Sequence, residues 1–410
     1  MSGAVAEHDR FARLLGTLVA FAFIGALLRT SASGVFAWLA ALSCLGLACS
    51  GRRGVDASGS LRLLWLSALL PIGVNLVSVL AFDLPARAAS WWPLLILPLV
   101  AMLPAAPGTG LRLLMQAAMP TAWAAFVISL LWLRYPDPAV IGVTVNPILF
   151  GQVAVSMALV CAVGLVLGVS RMNRLLLFGS MLAGLVAAIL VGYRGGLLTL
   201  PLFALCGFRV LRHGQAGRRV WTAALLVVFA AGLAVCFSPM FDRLALAIDE
   251  ALAYANGAIG FSSVGTRFAL WQLAIDLFAS RPVFGIGADR FGDAMRALAA
   301  EGRLPADIAV FDHAHNTVLN LAAEYGIVGM SALLVATAAV WRHAGGLDAD
   351  ARAMARYLLV CWIVFSLTND VLAHQSSMRI MCLTIALAMV GARGRSFPAA
   401  PPGSAATPVS

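Results

Sequence analysis

Lysine is absent from this chain: all 28 basic residues are arginine. Charge of either sign is scarce, at 11% of residues against an apolar share of 61%. A soluble domain of this length needs far more charge to stay in water. Paired cysteine motifs are also missing. Cys44, Cys49, Cys161, Cys206, Cys236, Cys361 and Cys382 are scattered within or beside apolar runs, which argues against a disulfide framework and a thiolate zinc site. Strand-sized alternation is lacking as well, so an outer-membrane barrel is not expected.

What is abundant is apolar runs of about twenty residues, the length that crosses a bilayer as a helix. In lipid such runs must be helical, because a helix satisfies its own backbone hydrogen bonds. The sequence therefore predicts an all-α, polytopic membrane protein of about twelve transmembrane helices. The expected spans are 13–28, 35–50, 62–82, 90–105, 112–133, 147–169, 174–192, 196–211, 220–238, 316–341, 356–373 and 379–392. The first also has the look of a signal peptide, and is read as a retained signal anchor.

Arginine placement tests this topology. With both termini on one side, Arg10, Arg13, Arg52, Arg53, Arg62, Arg112, Arg171, Arg174, Arg209, Arg212, Arg218, Arg219, Arg342, Arg352, Arg356, Arg393 and Arg395 share that side. The opposite short connections hold only Arg29, Arg87, Arg134, Arg194 and Arg379. The bias places both termini in the cytoplasm. Topology thus accounts for the net charge of +10, and no nucleic-acid partner is expected.

The predicted organisation is nine spans over 1–238, a long extracytoplasmic loop over 239–315, three spans over 316–393, and a Pro/Ala/Gly/Ser-rich disordered cytoplasmic tail over 394–410. The loop carries helical spacing at Leu270, Trp271, Ala274 and Leu277, breakers at Pro282, Gly285 and Gly287, and a second short helix over Phe291–Ala300. A loop of this length within a compact protein is usually functional.

Polar residues at the membrane edge are costly and are therefore candidates for function. Arg194, in Tyr193-Arg194-Gly195-Gly196, is either a snorkelling side chain or a ligand for a diphosphate, whose oxygens match the paired donors of a guanidinium. Arg267 stands near the start of a helix, against the helix dipole; an anion bound at that helix N-terminus would relieve the conflict. In Asp312-His313-Ala314-His315-Asn316, a histidine at the interface can take a proton from a hydroxyl near neutral pH. Metal binding by Asp312, His313 and His315 is the alternative, though HxH alone is a weak signal. Asn316, Asn320 and Glu324 would form one polar stripe reaching about 12 Å along a helix. Asp370 would orient His374 or neutralise an arginine, and Asn146 and Gln152 are weaker candidates. Together these suggest two arginines holding a diphosphate, a histidine serving an incoming hydroxyl, and carboxylates tuning them. The long loop lacks a DxD pair, so the cations stabilising a leaving diphosphate would come from the protein.

The ordered set Tyr193-Arg194-Gly195-Gly196, then Arg267…Leu270-Trp271…Pro282…Gly285-Ile286-Gly287…Phe291, then His313-Ala314-His315-Asn316…Leu319…Glu324-Tyr325-Gly326-Ile327-Val328-Gly329 resembles the O-antigen ligase family, which shares a superfamily with O-antigen polymerases. The resemblance implies a membrane glycosyltransferase fold of the C type in the bacterial inner membrane. It implies transfer of a glycan from undecaprenyl diphosphate to lipid A–core oligosaccharide on the periplasmic face, with no cofactor and no metal. It maps the family's essential arginines onto Arg194 and Arg267. The essential histidine falls on His315, with His313 the alternative, and Tyr193, Asn316, Glu324 and Asp370 in support. The rivals are the polymerase, a protein O-oligosaccharyltransferase, and a transporter of lipid-linked glycans. A transporter would place its charges nearer the bilayer midplane.

Overall fold

The computed structural model describes residues 21–28, 59–85, 90–102, 108–135, 146–167, 171–212, 263–304 and 308–392, with a few single positions besides. The expected spans at 35–50 and 220–238, and the tail from Gly394, lie outside the described residues. Among the described residues the chain is helical, without strands.

Among the described residues four helices are long and apolar enough to cross a bilayer: α1 (Gly59–Ala81), α3 (Thr109–Arg134), α4 (Pro147–Val166) and α9 (Thr317–Gly345). Shorter apolar helices stand beside them: α2 (Ile96–Ala101, after a 3-10 turn at Trp92–Leu95), α5 (Arg171–Leu190) and α11 (Gln375–Met389). Together they make a multi-pass membrane protein, and α10 (Ala349–Ser366) packs among them. The expected eighth span resolves into a 3-10 turn at Arg194–Thr199 followed by α6 (Leu200–Arg212).

α4 is the central post. Every residue from Leu149 to Leu165 is buried, packed by α3, α5, α6, α10 and α11. α1 lies along α9, and α10 joins α9 to α11. The long-loop helices α7 (Ser263–Ser280) and α8 (Phe291–Ala300) lean on α9. They share a small apolar core of their own, in which Leu270, Ala274, Phe291, Met295 and Ile308 close around Ala314 and Ala323. This core fixes the loop against the first turns of α9.

α9 is not the continuous helix expected over 316–341. It breaks at Gly326, at φ 62° and ψ −153°, a conformation open to glycine almost alone. In an unbroken helix Ile327 N and Val328 N would donate to Ala323 O and Glu324 O. Here those two carbonyls accept from Ile286 N at 2.9 Å and Gly287 N at 3.0 Å, while Ile327 N and Val328 N donate to Pro282 O at 2.8 Å and Val283 O at 3.2 Å. The loop segment 282–287 is thus stitched into the break, and these two N–H and two C=O groups each find a partner, as buried non-helical backbone requires.

Candidate active site

The His loop is held from α9. Asn316 caps α9, its Oδ1 accepting from Val318 N and Leu319 N, while its Nδ2 donates to Leu367 O. Its backbone is extended, so Asn316 leaves the polar stripe that i, i+4 spacing suggested. Asn320 and Glu324 face the loop instead of solvent. Asn320 Oδ1 accepts from Ala314 N at 3.1 Å, and Glu324 Oε1 from Phe291 N at 3.3 Å. His315 sits at φ 51° and Asp289 at φ 56°. Such left-handed non-glycine conformations cost roughly 1–3 kcal/mol and persist only where surroundings enforce them.

Three imidazoles form a row. The His313 ring lies 4.3 Å from that of His315 and 4.9 Å from that of His374. His313 Nδ1 is hydrogen-bonded to Asp312 Oδ1, and its buried Nε2 has no partner. That bond, with charge–charge attraction, holds the Asp312 carboxyl below its ordinary range despite partial burial. His315 is pushed down to about 4, first by burial, then by His313 and the Arg267 guanidinium, with Asn369 opposing. His374 is lowered by burial and His313, against the pull of Asp370 and Asp312. His315 is therefore a neutral imidazole at neutral pH, and its buried Nδ1 lacks a hydrogen-bond partner.

Arg267 stands one turn into α7. Burial and the charge of Arg194 both lower it from the ordinary guanidinium value, and Tyr193 acts in the other direction. Among the described residues neither Arg194 nor Arg267 is paired with a carboxylate. The N-terminus of α7 is occupied from within the chain: Glu250 Oε2 accepts from Val264 N at 3.1 Å. One N–H at that helix end is thus satisfied from within the chain.

Tyr193 presses its ring against Gly151 and Gly196, where a Cβ would collide with it, and meets Phe365 edge-on at 5.8 Å. Its buried hydroxyl has no hydrogen-bond partner, and burial raises its pKa above the ordinary value. The glycines after Arg194 thus serve close packing, with Gly195 against Thr368 on the α10 side.

Asp370 lies beyond the end of α10, where Oδ1 accepts from Leu372 N and Ala373 N. It reaches His313 and His374 electrostatically, and among the described residues it forms no ion pair with an arginine. Behind the histidines a polar cavity of about 90 Å³ is lined by Asp289, Asp312, Asn320, Glu324, Asp370 and His374, among others. It meets a larger apolar cavity of about 410 Å³ across Trp91, Leu321 and Leu372. Among the described residues no three His, Cys, Asp or Glu side chains are grouped as a metal ion would require.

Residues 178–334 match the O-antigen ligase family model. That stretch contains Tyr193, Arg194, Arg267, His313, His315, Asn316 and Glu324; Asp370 and His374 lie beyond it. An uncharacterized protein of Haemophilus influenzae is 25% identical over 275 residues, covering 65% of this chain and 67% of that one. The resemblance to the O-antigen ligase family is thereby shown over the matched stretch.

The sequence did not point to Asn75. From α1 its Nδ2 donates to the Tyr325 hydroxyl at 2.8 Å and to Ala88 O at 3.1 Å, and Tyr325 stacks at 4.6 Å on Trp91. A lone Asn inside the run 62–82 was the available signal. Asn146 caps α4 through Ile148 N, and Gln152 accepts from Ser377 Oγ at 3.1 Å, so each is engaged structurally.

Proposed function

We propose that this protein transfers a glycan from undecaprenyl diphosphate to lipid A–core oligosaccharide, acting as an O-antigen ligase on the periplasmic face of the inner membrane. The observation that carries the proposal is that Arg267 lies within electrostatic reach of both Arg194 and a neutral His315, with neither arginine paired to a carboxylate among the described residues. Like charges brought together and partly buried are unfavourable unless an anion joins them. A diphosphate carries the charge and the oxygen spacing to do so.

In the proposed reaction the acceptor hydroxyl approaches the anomeric carbon, and His315 takes its proton as the carbon–oxygen bond forms. The bond to the diphosphate breaks, and the two guanidiniums receive the charge that develops on the leaving oxygen. The reaction is metal-independent, with His313 orienting His315 and Asp312 fixing His313. The apolar cavity against α9 suits the polyprenyl chain. The full arrangement of about twelve spans, the membrane glycosyltransferase C-type fold, the periplasmic loop at 239–315 and the cytoplasmic termini belong to the same proposal.

The polymerase is the nearest rival, because it needs the same diphosphate site and differs in its acceptor. Reconstitution of the full chain with purified lipid-linked glycan, offered either lipid A–core or a second carrier-linked glycan, separates the two. Product on lipid A–core supports the ligase. Elongated carrier-linked glycan with none on lipid A–core rejects it.

A further inference from the structure

The far end of the bundle carries a second cluster of arginines that the transfer reaction does not use. On either side of its break, residues 317–325 and 327–341 of α9 rise roughly 12 and 21 Å along their own axes, carrying Trp341 well away from the His loop. There, the end of α6, the end of α9 and the first turns of α10 enclose a cavity of about 430 Å³. Arg209, Arg352 and Arg356 line it together with Leu202, Leu205 and Val360.

The arginines are held by aromatic rings. Arg356 Cζ lies 4.4 Å from the centre of the Trp341 ring, and Arg209 Cζ lies 5.5 Å from that of Tyr357. For Arg356, stacking uses the face of the guanidinium and leaves its N–H edge for a planar or tetrahedral anion. Arg356 Nε is buried without a hydrogen-bond partner. Arg352 makes one long bond, 3.4 Å to Gly345 O. Among the described residues neither Arg352 nor Arg356 forms an ion pair. The nearest acids in sequence are otherwise placed: Asp348 caps α10 through Ala351 N, and Asp350 is exposed.

We infer that this cavity binds the phosphate headgroup of an anionic phospholipid from the leaflet opposite the histidine site, with an acyl chain along Leu202, Leu205 and Val360. The apolar wall continuous with the cations distinguishes a lipid from free phosphate, and basic pockets between membrane helices are suited to such headgroups. The inference stands independently of the proposed transfer reaction. A lipid there would brace the α9–α10 hairpin, whose other end carries the His loop and Asp370.

The test uses the full chain in detergent, with retention of phosphatidylglycerol and phosphatidylcholine measured by native mass spectrometry. Phosphatidylglycerol should be retained over phosphatidylcholine. Retention should fall about tenfold in the R352Q/R356Q double variant, as expected for losing charge-assisted bonds. Leu205→Trp, which keeps the charges and fills the apolar wall, should give a similar loss, whereas Arg303→Gln on the long loop should have no effect. Equal retention of the two lipids by the unaltered chain would overturn the inference. So would wild-type retention in either pocket variant, or full displacement of the lipid by millimolar inorganic phosphate.

Discussion

Replacing Gly326 by alanine probes the junction that presents the site. A Cβ at this position would sit 2.5 Å from Pro282 O and from Val283 C and O, which are backbone atoms with little room to yield. The φ of 62° adds roughly 1–3 kcal/mol of strain for any L side chain. The chain's alternative is to close α9 into a continuous helix and expel the segment 282–287. That route exchanges the four stitching bonds for two helical ones, a net loss of two, or about 1–3 kcal/mol. The cheaper of the two routes sets the cost, so Gly326→Ala should destabilise the fold by about 1–3 kcal/mol. Gly302→Ala is the matched control, since Gly302 has φ 70° with nothing within 4 Å of the added Cβ. It should lose only the strain, about 1 kcal/mol. The assay is denaturant unfolding in detergent together with hydrogen exchange at Ile286, Gly287, Ile327 and Val328. Equal stability of the two variants, with those amides still protected in Gly326→Ala, would refute the stitched break.

Other expectations follow from the same geometry. His315→Ala should abolish transfer while the protein still inserts, and unchanged activity in His315→Ala, His313→Ala and the double variant would remove the histidine role. The His315 imidazole, facing His313, His374, Asn369 and Arg267, should stay neutral from pH 8 down to about 5 in an NMR titration of the donor-free protein, since its pKa lies at about 4. Because the unfolded chain takes up that proton near pH 6.5, this group costs stability as pH falls from 6.5 toward 4, on the order of 3 kcal/mol at most. A titration near 6.5 would contradict the buried placement. Asn320→Ala leaves the buried Ala314 N–H without its acceptor, a loss of about 1–3 kcal/mol. It should reduce turnover more than donor affinity, and an unaltered rate would show that the His loop is held by other means. Chelator should leave transfer intact; inhibition reversed by one specific divalent ion would overturn the metal-free mechanism.

The sequence made the apolar helices, the ordered motifs and the candidate polar residues legible, because hydropathy and local spacing carry that information. The break in α9 was not legible. Glu324-Tyr325-Gly326-Ile327-Val328-Gly329 reads as ordinary helix with tolerated glycines, and Pro282–Gly287 reads as a turn. Nothing local says that one lends hydrogen bonds to the other. Glu250 as the partner of Val264 N, and Asn75 as the partner of Tyr325, are likewise contacts made across long separations in sequence. Asp370 and His374 were paired from their spacing in sequence, whereas the approach of His313 to Asp370 depends on the turn after α10.

The account depends most on Arg194 and Arg267 acting as one receptor for a diphosphate. Affinity of the full chain for undecaprenyl diphosphate, measured for the unaltered protein, Arg194→Ala and Arg267→Ala, addresses this directly. Each substitution should weaken binding about tenfold or more, with the fold intact. Unchanged affinity in both variants would contradict the claim.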